Sequence, residues 1–340
     1  MTKKIRVHFK SNRASAGSWP DSEEGERVFA FSRKRFDEAA LNHPELALLI
    51  EPVFDWDHDN FDDSMASAEV LVTWDLPTAD LANHAPNLKW IHIVGAGVEH
   101  LMPMSWLPKS VALTNSKGVH ARKSGEYGLM ALLMLNNAMP ILIEAQRAAH
   151  YGPTYSTALE GKTLLILGVG QIGNAVAAHA KHMGMHVIGI RRSGRHSRHI
   201  DEMVKLDKLE AQLPRADFVL VSLPSTPETV GVLDAKRLAL MKHGAGLVNM
   251  ARASLIDYEA LATLLRARQL GGAVLDVFDP EPLPRTSPLW TVPNLIITPH
   301  VSSDEQERYV PLILDLFFDN IARLLEGRPL RNKVRPELGY

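Results

Sequence analysis

The chain has 340 residues, 46% hydrophobic and 22% charged, enough for about two domains with sizeable cores. Its 37 Lys and Arg against 39 Asp and Glu leave a net charge of −2, so there is no general bias toward nucleic acid or a membrane surface. The absence of cysteine excludes disulfides, thiolate nucleophiles and Cys-based zinc or iron–sulfur sites, and fits a reducing cytoplasm.

The opening Met1-Thr2-Lys3-Lys4-Ile5-Arg6-Val7 returns to charge too early for the apolar region of a signal peptide. Short apolar runs follow at 5–9, 47–50, 70–73, 90–93 and 111–114. Each is partly β-branched or aromatic and ends near turn residues, which predicts strands. A helix is expected over 28–41, and the Ser-, Gly-, Pro- and acid-rich stretch 11–26 reads as a surface loop. Together these predict a small α/β domain. The segment 122–150 carries Leu129, Leu132, Leu133, Met134 and Ile141 at helical spacing, a stripe suited to core or subunit packing, and is expected to stop at Gly152-Pro153. The uncharged runs 127–143 and 286–303 are broken by Asn136-Asn137, Pro140 and further prolines, and do not read as membrane spans.

From Thr163 the alternation becomes regular, with apolar runs at 164–167, 186–190, 218–223, 247–250, 273–277 and 295–298. Helical stretches such as 174–183 and 258–268 separate them. Runs apolar on both faces and spaced by helices imply a parallel sheet covered on both sides. A last helical stretch spans 304–326.

Gly168-Val169-Gly170-Gln171-Ile172-Gly173 follows a predicted strand and opens a predicted helix. In that context the glycines allow a tight turn and close approach to a pyrophosphate, and the helix N-terminus offers N–H groups to the phosphates. An NAD site usually places Asp or Glu about 20 residues further on, against the ribose hydroxyls. Here the next strand ends in Arg191-Arg192-Ser193, with no carboxylate. Two guanidiniums and a hydroxyl suit a 2′-phosphate, so NADP(H) is expected ahead of NAD(H), with NAD(H) possible. The neighbouring Arg195, His196, Arg198 and His199 read as a solvated loop.

Ligands of doubly wound sheets bind beyond the carboxyl ends of the strands. Three residues follow three strands there: Arg252, Glu281 and His300. The other histidines form no metal-binding pattern, so no metal is expected.

The segments Asn249-Met250-Ala251-Arg252, Leu275-Asp276-Val277-Phe278-Asp279-Pro280-Glu281-Pro282 and Thr298-Pro299-His300 resemble the signature segments of the D-isomer-specific 2-hydroxyacid dehydrogenases. Residues 221–229, which contain Leu223 and Pro224, are similar to another family segment, and 94–101 to one in the family's first domain. The resemblance covers nearly the whole chain and is weakest over the first 45 or so residues. The arginine pair after the second strand looks like the NADP-using glyoxylate/hydroxypyruvate reductase branch.

The resemblance implies a two-domain α/β fold, with a Rossmann doubly wound sheet over 119–303 and a smaller flavodoxin-like substrate domain over 1–118 completed by 304–340. It implies an active site in the cleft between them, and a homodimer for which the apolar 122–143 segment is a candidate surface. Arg252 would hold the carboxylate and carbonyl of a 2-oxo acid, His300 would donate the proton, and Glu281 would orient and charge the imidazole. The N–H groups of Ala96 and Gly97 would cradle the substrate carboxylate. Cofactor contacts would fall on Gly168, Gly170, Gln171, Ile172, Gly173, Arg191, Arg192, Ser193, Leu223, Pro224, Ala251, Asp276 and His300, the resemblance implying Asp276 near the nicotinamide carboxamide.

Departures from the family pattern are Ala253 where Gly is common, Gly125 where Ala is common, and Val301-Ser302 after His300. The leading expectation is a cytoplasmic NADPH-dependent reductase of glyoxylate- or hydroxypyruvate-like acids. Alternatives of the same architecture are a dinucleotide-sensing, corepressor-like interaction protein and a formate- or phosphite-type dehydrogenase. Trp74, Trp90 and Trp290 are the bulky candidates for selecting a substrate.

Overall fold

The computed structural model describes residues 4–15 and 20–336. Parts of three expectations, residues 1–3 of the N-terminal reading, 16–19 of the 11–26 loop and 337–340 of the C-terminal segment, lie outside them. The chain divides into two compact units, Met1–His120 with Glu305–Tyr340, and Ala121–Asp304.

The first unit holds a parallel sheet of β1 (Ile5–Ser11), β2 (Ile50–Trp56), β3 (Val70–Thr73), β4 (Trp90–Ile93) and β5 (Ala112–Asn115), in the order β2-β1-β3-β4-β5. Strands β3 and β4 are buried throughout, which their unbroken apolar runs foretold. The strand expected at 47–50 is displaced. Pro44–Ala47 is a short helix, and β2 begins at Ile50. As an edge strand β2 tolerates Pro52 and exposes Glu51, so it carries no apolar run to read.

The helix expected over 28–41 is two helices, α1 (Glu23–Phe29) and α2 (Arg33–Ala40). Ser32, in extended backbone, accepts the Arg35 N–H and starts α2 afresh. Ser22 caps α1 in the same way, so a helix begins inside the stretch read as loop. The helix Tyr309–Leu325 buries Tyr309, Val310, Ile313, Leu314, Phe317, Phe318 and Ile321. This stripe packs on the face of Phe9, Phe36 and Trp90, so the C-terminal segment completes the core of the first unit.

The second unit holds β6 (Thr163–Leu167), β7 (His186–Ile190), β8 (Glu202–Val204), β9 (Phe218–Val221), β10 (Gly246–Asn249), β11 (Gly272–Leu275) and β12 (Leu295–Ile297). All pairings are parallel, in the order β12-β11-β10-β9-β6-β7-β8. Strand β8 had no sequence signal because its three residues, Glu202-Met203-Val204, include a charge and form no apolar run. The two sheets and their order give the α/β class expected, a flavodoxin-like sheet and a Rossmann-type doubly wound sheet.

The helical stretch 122–150 is also two helices, α3 (Ala121–Asn136) and α4 (Met139–Arg147), bent by 66°. Pro140 has no N–H to continue α3 and instead occupies the first turn of α4, after Ala138 at φ 50°. The helix stops at Arg147, before Gly152. No single helix among the described residues is long and apolar enough to cross a membrane, although α3 and α4 together reach that composition.

Helix α3 packs on α5 (Gln171–His182) through glycines. A Cβ at Gly125 would stand 2.9 Å from the Ala175 Cβ, and one at Gly128 2.5 Å from a Val176 methyl. The departure at Gly125 therefore has a steric reason.

Candidate active site

Because every strand of the second unit points the same way, the loops that end the strands gather along one edge. The order reverses between β6 and β9, which opens a crevice there. The loop after β6 is built for close backbone approach. Gly168 sits at φ 104°, and a Cβ on it would lie 2.6 Å from the Leu223 nitrogen. A Cβ on Gly173 would lie 2.4 Å from the Gly168 carbonyl oxygen. Ser222, after β9, donates its hydroxyl to that oxygen at 2.8 Å and ties the two loops together. At Gly170, by contrast, nothing stands within 4 Å of a Cβ, and no side chain caps α5. Open space before an uncapped helix N-terminus fits a pyrophosphate. Gln171 and Ile172 form the first turn of α5, and Leu223 and Pro224 lie across from it after β9.

At the end of β7 the chain turns through Arg191, Arg192, Ser193 and Gly194, with the Gly194 N–H donating to the Arg191 carbonyl at 3.0 Å and Gly194 at φ 62°. Arg192 and Ser193 are exposed and Arg191 is half-buried. The Ser193 hydroxyl accepts the Arg195 N–H at 3.4 Å. Further along, Ser197 donates to the Asn174 side chain, whose amide donates to the Gly170 carbonyl at 2.8 Å. The basic loop is thus fastened to the phosphate-side helix.

Arg252, Glu281 and His300 follow the adjacent strands β10, β11 and β12. His300 Nδ1 donates to Glu281 Oε2 at 2.8 Å, and the other carboxylate oxygen accepts the Phe278 N–H at 2.7 Å. Glu281 is therefore held from both sides. Burial pulls the His300 imidazole down, but the hydrogen bond and charge of Glu281 outweigh it and leave the ring above the usual histidine value. Burial likewise pushes the Glu281 carboxyl up, yet His300, the Phe278 N–H and Arg252 together hold it below the usual carboxylate range. Arg252 donates from its guanidinium to the Ala251 carbonyl at 2.7 Å.

His300 adopts φ 55°, a left-handed conformation that costs a non-glycine residue roughly 1–2 kcal/mol. Asp276 holds it there. The carboxylate of this fully buried residue accepts the Val301 and Ser302 N–H groups, each at 3.0 Å, and the Thr298 hydroxyl at 2.6 Å. Thr298 has spent its proton on Asp276, so the Tyr127 hydroxyl of α3 donates to it at 2.6 Å. Burial raises the Tyr127 phenol to about 12, which keeps it protonated. Asp276 thus anchors the His300 loop. Asp304, four residues past His300, is pushed by burial up to about 7.

In the first unit, the bend carrying Ala96 and Gly97 follows β4. Asn115 donates to the Ala96 carbonyl at 2.7 Å and the Ser116 N–H to the Gly95 carbonyl at 3.0 Å. Ala96 is exposed and Gly97 half-buried. Of the three tryptophans, Trp74 stacks on His100 at 4.4 Å. Trp90 lies wholly in the core, its indole donating to Thr114 at 2.7 Å, and so is no pocket residue. Trp290 is half exposed, its indole donating to the Pro284 carbonyl. No cluster of three or more His, Asp or Glu able to hold a metal occurs among the described residues.

The sequence reading missed the polar groups beneath these loops: Tyr127, Ser222, Asn249, Tyr258 and Thr298. The available signal was Asn249, a buried amide ending an otherwise apolar strand.

A family model described as the NAD binding domain of D-isomer specific 2-hydroxyacid dehydrogenases matches residues 129–302. A D-3-phosphoglycerate dehydrogenase from Synechocystis sp. is 31% identical over 259 residues, covering 76% of this chain and 46% of that protein. The chain thus aligns with about half the length of such curated relatives. A D-isomer specific 2-hydroxyacid dehydrogenase family protein from Aeromonas salmonicida is similar in structure, with a TM-score of 0.80, 31% identity and coverage of 98% of this chain and 100% of that one. So is an NADPH-dependent glyoxylate/hydroxypyruvate reductase from Sinorhizobium meliloti in complex with NADP and sulfate, at a TM-score of 0.80, 26% identity and coverage of 99% and 100%.

Proposed function

Since the chain belongs to the D-isomer specific 2-hydroxyacid dehydrogenase family, we propose that it reduces small 2-oxo acids of the glyoxylate or hydroxypyruvate kind to D-2-hydroxy acids, using NADPH. The observation that carries this reading is the 2.8 Å bond from His300 Nδ1 to Glu281, beside a strand-end arginine. A 2-oxo acid offers a carboxylate next to a carbonyl. The Arg252 fork binds the carboxylate and fixes the carbonyl's orientation. The reduced nicotinamide, when bound, supplies a hydride to the carbonyl carbon. Negative charge then develops on the carbonyl oxygen, and His300 donates a proton to it from Nε2. Glu281 keeps Nδ1 protonated and stabilises the imidazolium before the transfer. Asp276 holds the loop so that the ring presents one face of its chemistry in a fixed pose.

NADPH is favoured over NADH because Arg191, Arg192 and Ser193 stand where a carboxylate would bind the ribose hydroxyls, and because the Sinorhizobium reductase carries NADP. We further assign α3 and α4 to a homodimer interface. Helix α4 buries none of its residues within the chain, and Ile141 and Met130 are exposed. Light scattering giving a monomer's mass would reject that assignment.

The test is a spectrophotometric panel of glyoxylate, hydroxypyruvate, 3-phosphohydroxypyruvate and pyruvate with NADPH and NADH, run beside formate and phosphite oxidation. Turnover of a 2-oxo acid, lost by about 10²–10⁴-fold in His300→Ala with NADPH binding retained, is expected. No 2-oxo acid turnover, or oxidation of formate or phosphite instead, rejects the proposal. Partner capture that depends on NADPH without any turnover would favour a sensor.

A further inference from the structure

The Arg252 and Glu281 loops leave neighbouring strands, and one side chain reaches both. Tyr258 opens the helix α6 (Tyr258–Arg266). Its hydroxyl donates to the Val277 carbonyl at 2.8 Å and accepts from the Asn249 amide at 2.9 Å. The same Asn249 nitrogen donates to the Arg252 carbonyl at 3.0 Å, while the Asn249 oxygen accepts the Ala251 N–H at 3.1 Å. On the other side Val277 immediately precedes Phe278, whose N–H grips Glu281. A continuous set of hydrogen bonds therefore runs from the backbone at Arg252, through Asn249 and the phenol, to the backbone that fixes Glu281 and through it His300.

We infer that Tyr258 is a positioning residue that sets the spacing between the substrate-binding arginine and the Glu281–His300 pair. This rests on the function proposed above. The phenol is suited to the part. Burial raises its pKa above the usual tyrosine value, so it stays protonated and can donate. A hydroxyl both accepts and donates, whereas the amide of Asn249 has already used its oxygen on Ala251. Asp257, one residue earlier, caps α6 by accepting the Ala260 N–H at 2.9 Å, and the isolated bridge of Ile256 with Leu233 fixes the chain before it. The helix start is thus held without the phenol. The ring packs against Phe278 at 6.1 Å, a contact that phenylalanine at position 258 would retain.

The experiment is Tyr258→Phe, assayed with glyoxylate and NADPH and followed by hydrogen exchange of the uncomplexed protein. The expected result has three parts. The KM for glyoxylate rises about tenfold, the equivalent of one lost hydrogen bond, with the KM for NADPH unchanged. Peptides covering 250–256 and 276–282 exchange faster while those of the sheet do not. Tm falls by no more than about 4 °C. Unchanged KM and kcat overturn the inference, as does a large fall in Tm with faster exchange throughout the second unit, which marks a purely structural role. If the unmodified protein reduces no 2-oxo acid, the proposed function fails separately. The brace is then judged by exchange alone, and protection left unchanged in both loops overturns it.

Discussion

Replacing Glu281 with Gln removes one negative charge from His300 while leaving an oxygen able to accept from Nδ1. The two groups meet at 2.8 Å, so their charge centres lie about 4 Å apart. At that separation the attraction is about 1 kcal/mol in water and about 4 kcal/mol at an effective dielectric of 20. The side chains are 39% and 36% exposed, so solvent screens the pair and the lower part of that range applies. About 1.4 kcal/mol corresponds to one pKa unit. With the imidazolium as the proposed proton donor, reduction is expected to fall as pH rises through the raised pKa of His300. In Glu281→Gln that fall moves to lower pH by about one unit, and kcat above the midpoint drops about tenfold. The low-pH plateau changes less, since there the ring is charged in both proteins. The assay is kcat for glyoxylate against pH at saturating NADPH, with NADPH affinity measured separately. A midpoint that stays in place, or moves upward, refutes the assignment of Glu281 as the group that charges His300.

Three further outcomes follow from other parts of the molecule. Arg191→Ala with Arg192→Ala should raise the KM for NADPH at least about tenfold and leave that for NADH nearly unchanged, since a charged hydrogen bond contributes about 1.5–3 kcal/mol; equal losses for both cofactors would show that the turn does not read the 2′-phosphate. Gly128→Ala should lower Tm by several degrees, because its Cβ would stand 2.5 Å from a Val176 methyl and overpacking costs roughly 1–3 kcal/mol, although an unhindered Gly→Ala change in a helix is stabilising; a rise in Tm, by calorimetry, contradicts the close packing of α3 on α5. Finally, burial lowers His8 and His120 to about 4 and His92 to about 3, so these rings are neutral when folded and take up protons on unfolding below about pH 6.5. Each should remove about 1.4 kcal/mol per pH unit as pH falls from about 6.5 toward its folded value, with Asp304, raised to about 7, offsetting one of the three above about pH 4. Urea denaturation showing equal stability at pH 7 and pH 5 would refute this.

Much of the second unit could be read without coordinates. Its five inner strands are buried on both faces, so each is an apolar run whose end falls within a few residues of the true one, and the residues just past the strand ends are the candidate ligand groups. Two of the four edge strands, β2 and β8, were not legible, whereas β5 and β12 keep apolar runs and were. Strand β2 contains Glu51, Pro52 and Asp55, and β8 contains Glu202, because an edge has only one neighbour and less apolar contact to keep. Helix breaks were also missed. Ser32 and Pro140 interrupt helices whose hydrophobic spacing runs on across the break. Trp90, nominated with Trp74 and Trp290 as bulky residues more suited to packing than to a pocket, fills the core, and a large aromatic looks the same in sequence in either place.

By itself the sequence determined the alternating α/β pattern, the glycine turn before α5, the absence of a carboxylate after β7, and the identity of the three groups at the strand ends. All of these are local, set by burial period and by residue type at a strand's end. Tertiary structure alone decided that Glu281 grips Nδ1 of His300, that Asp276 holds the left-handed backbone at that histidine, and that Tyr258 joins the Arg252 and Glu281 loops. Those bonds link residues as much as 26 positions apart, brought to one edge by parallel strands whose order along the sheet is fixed only when the whole unit packs.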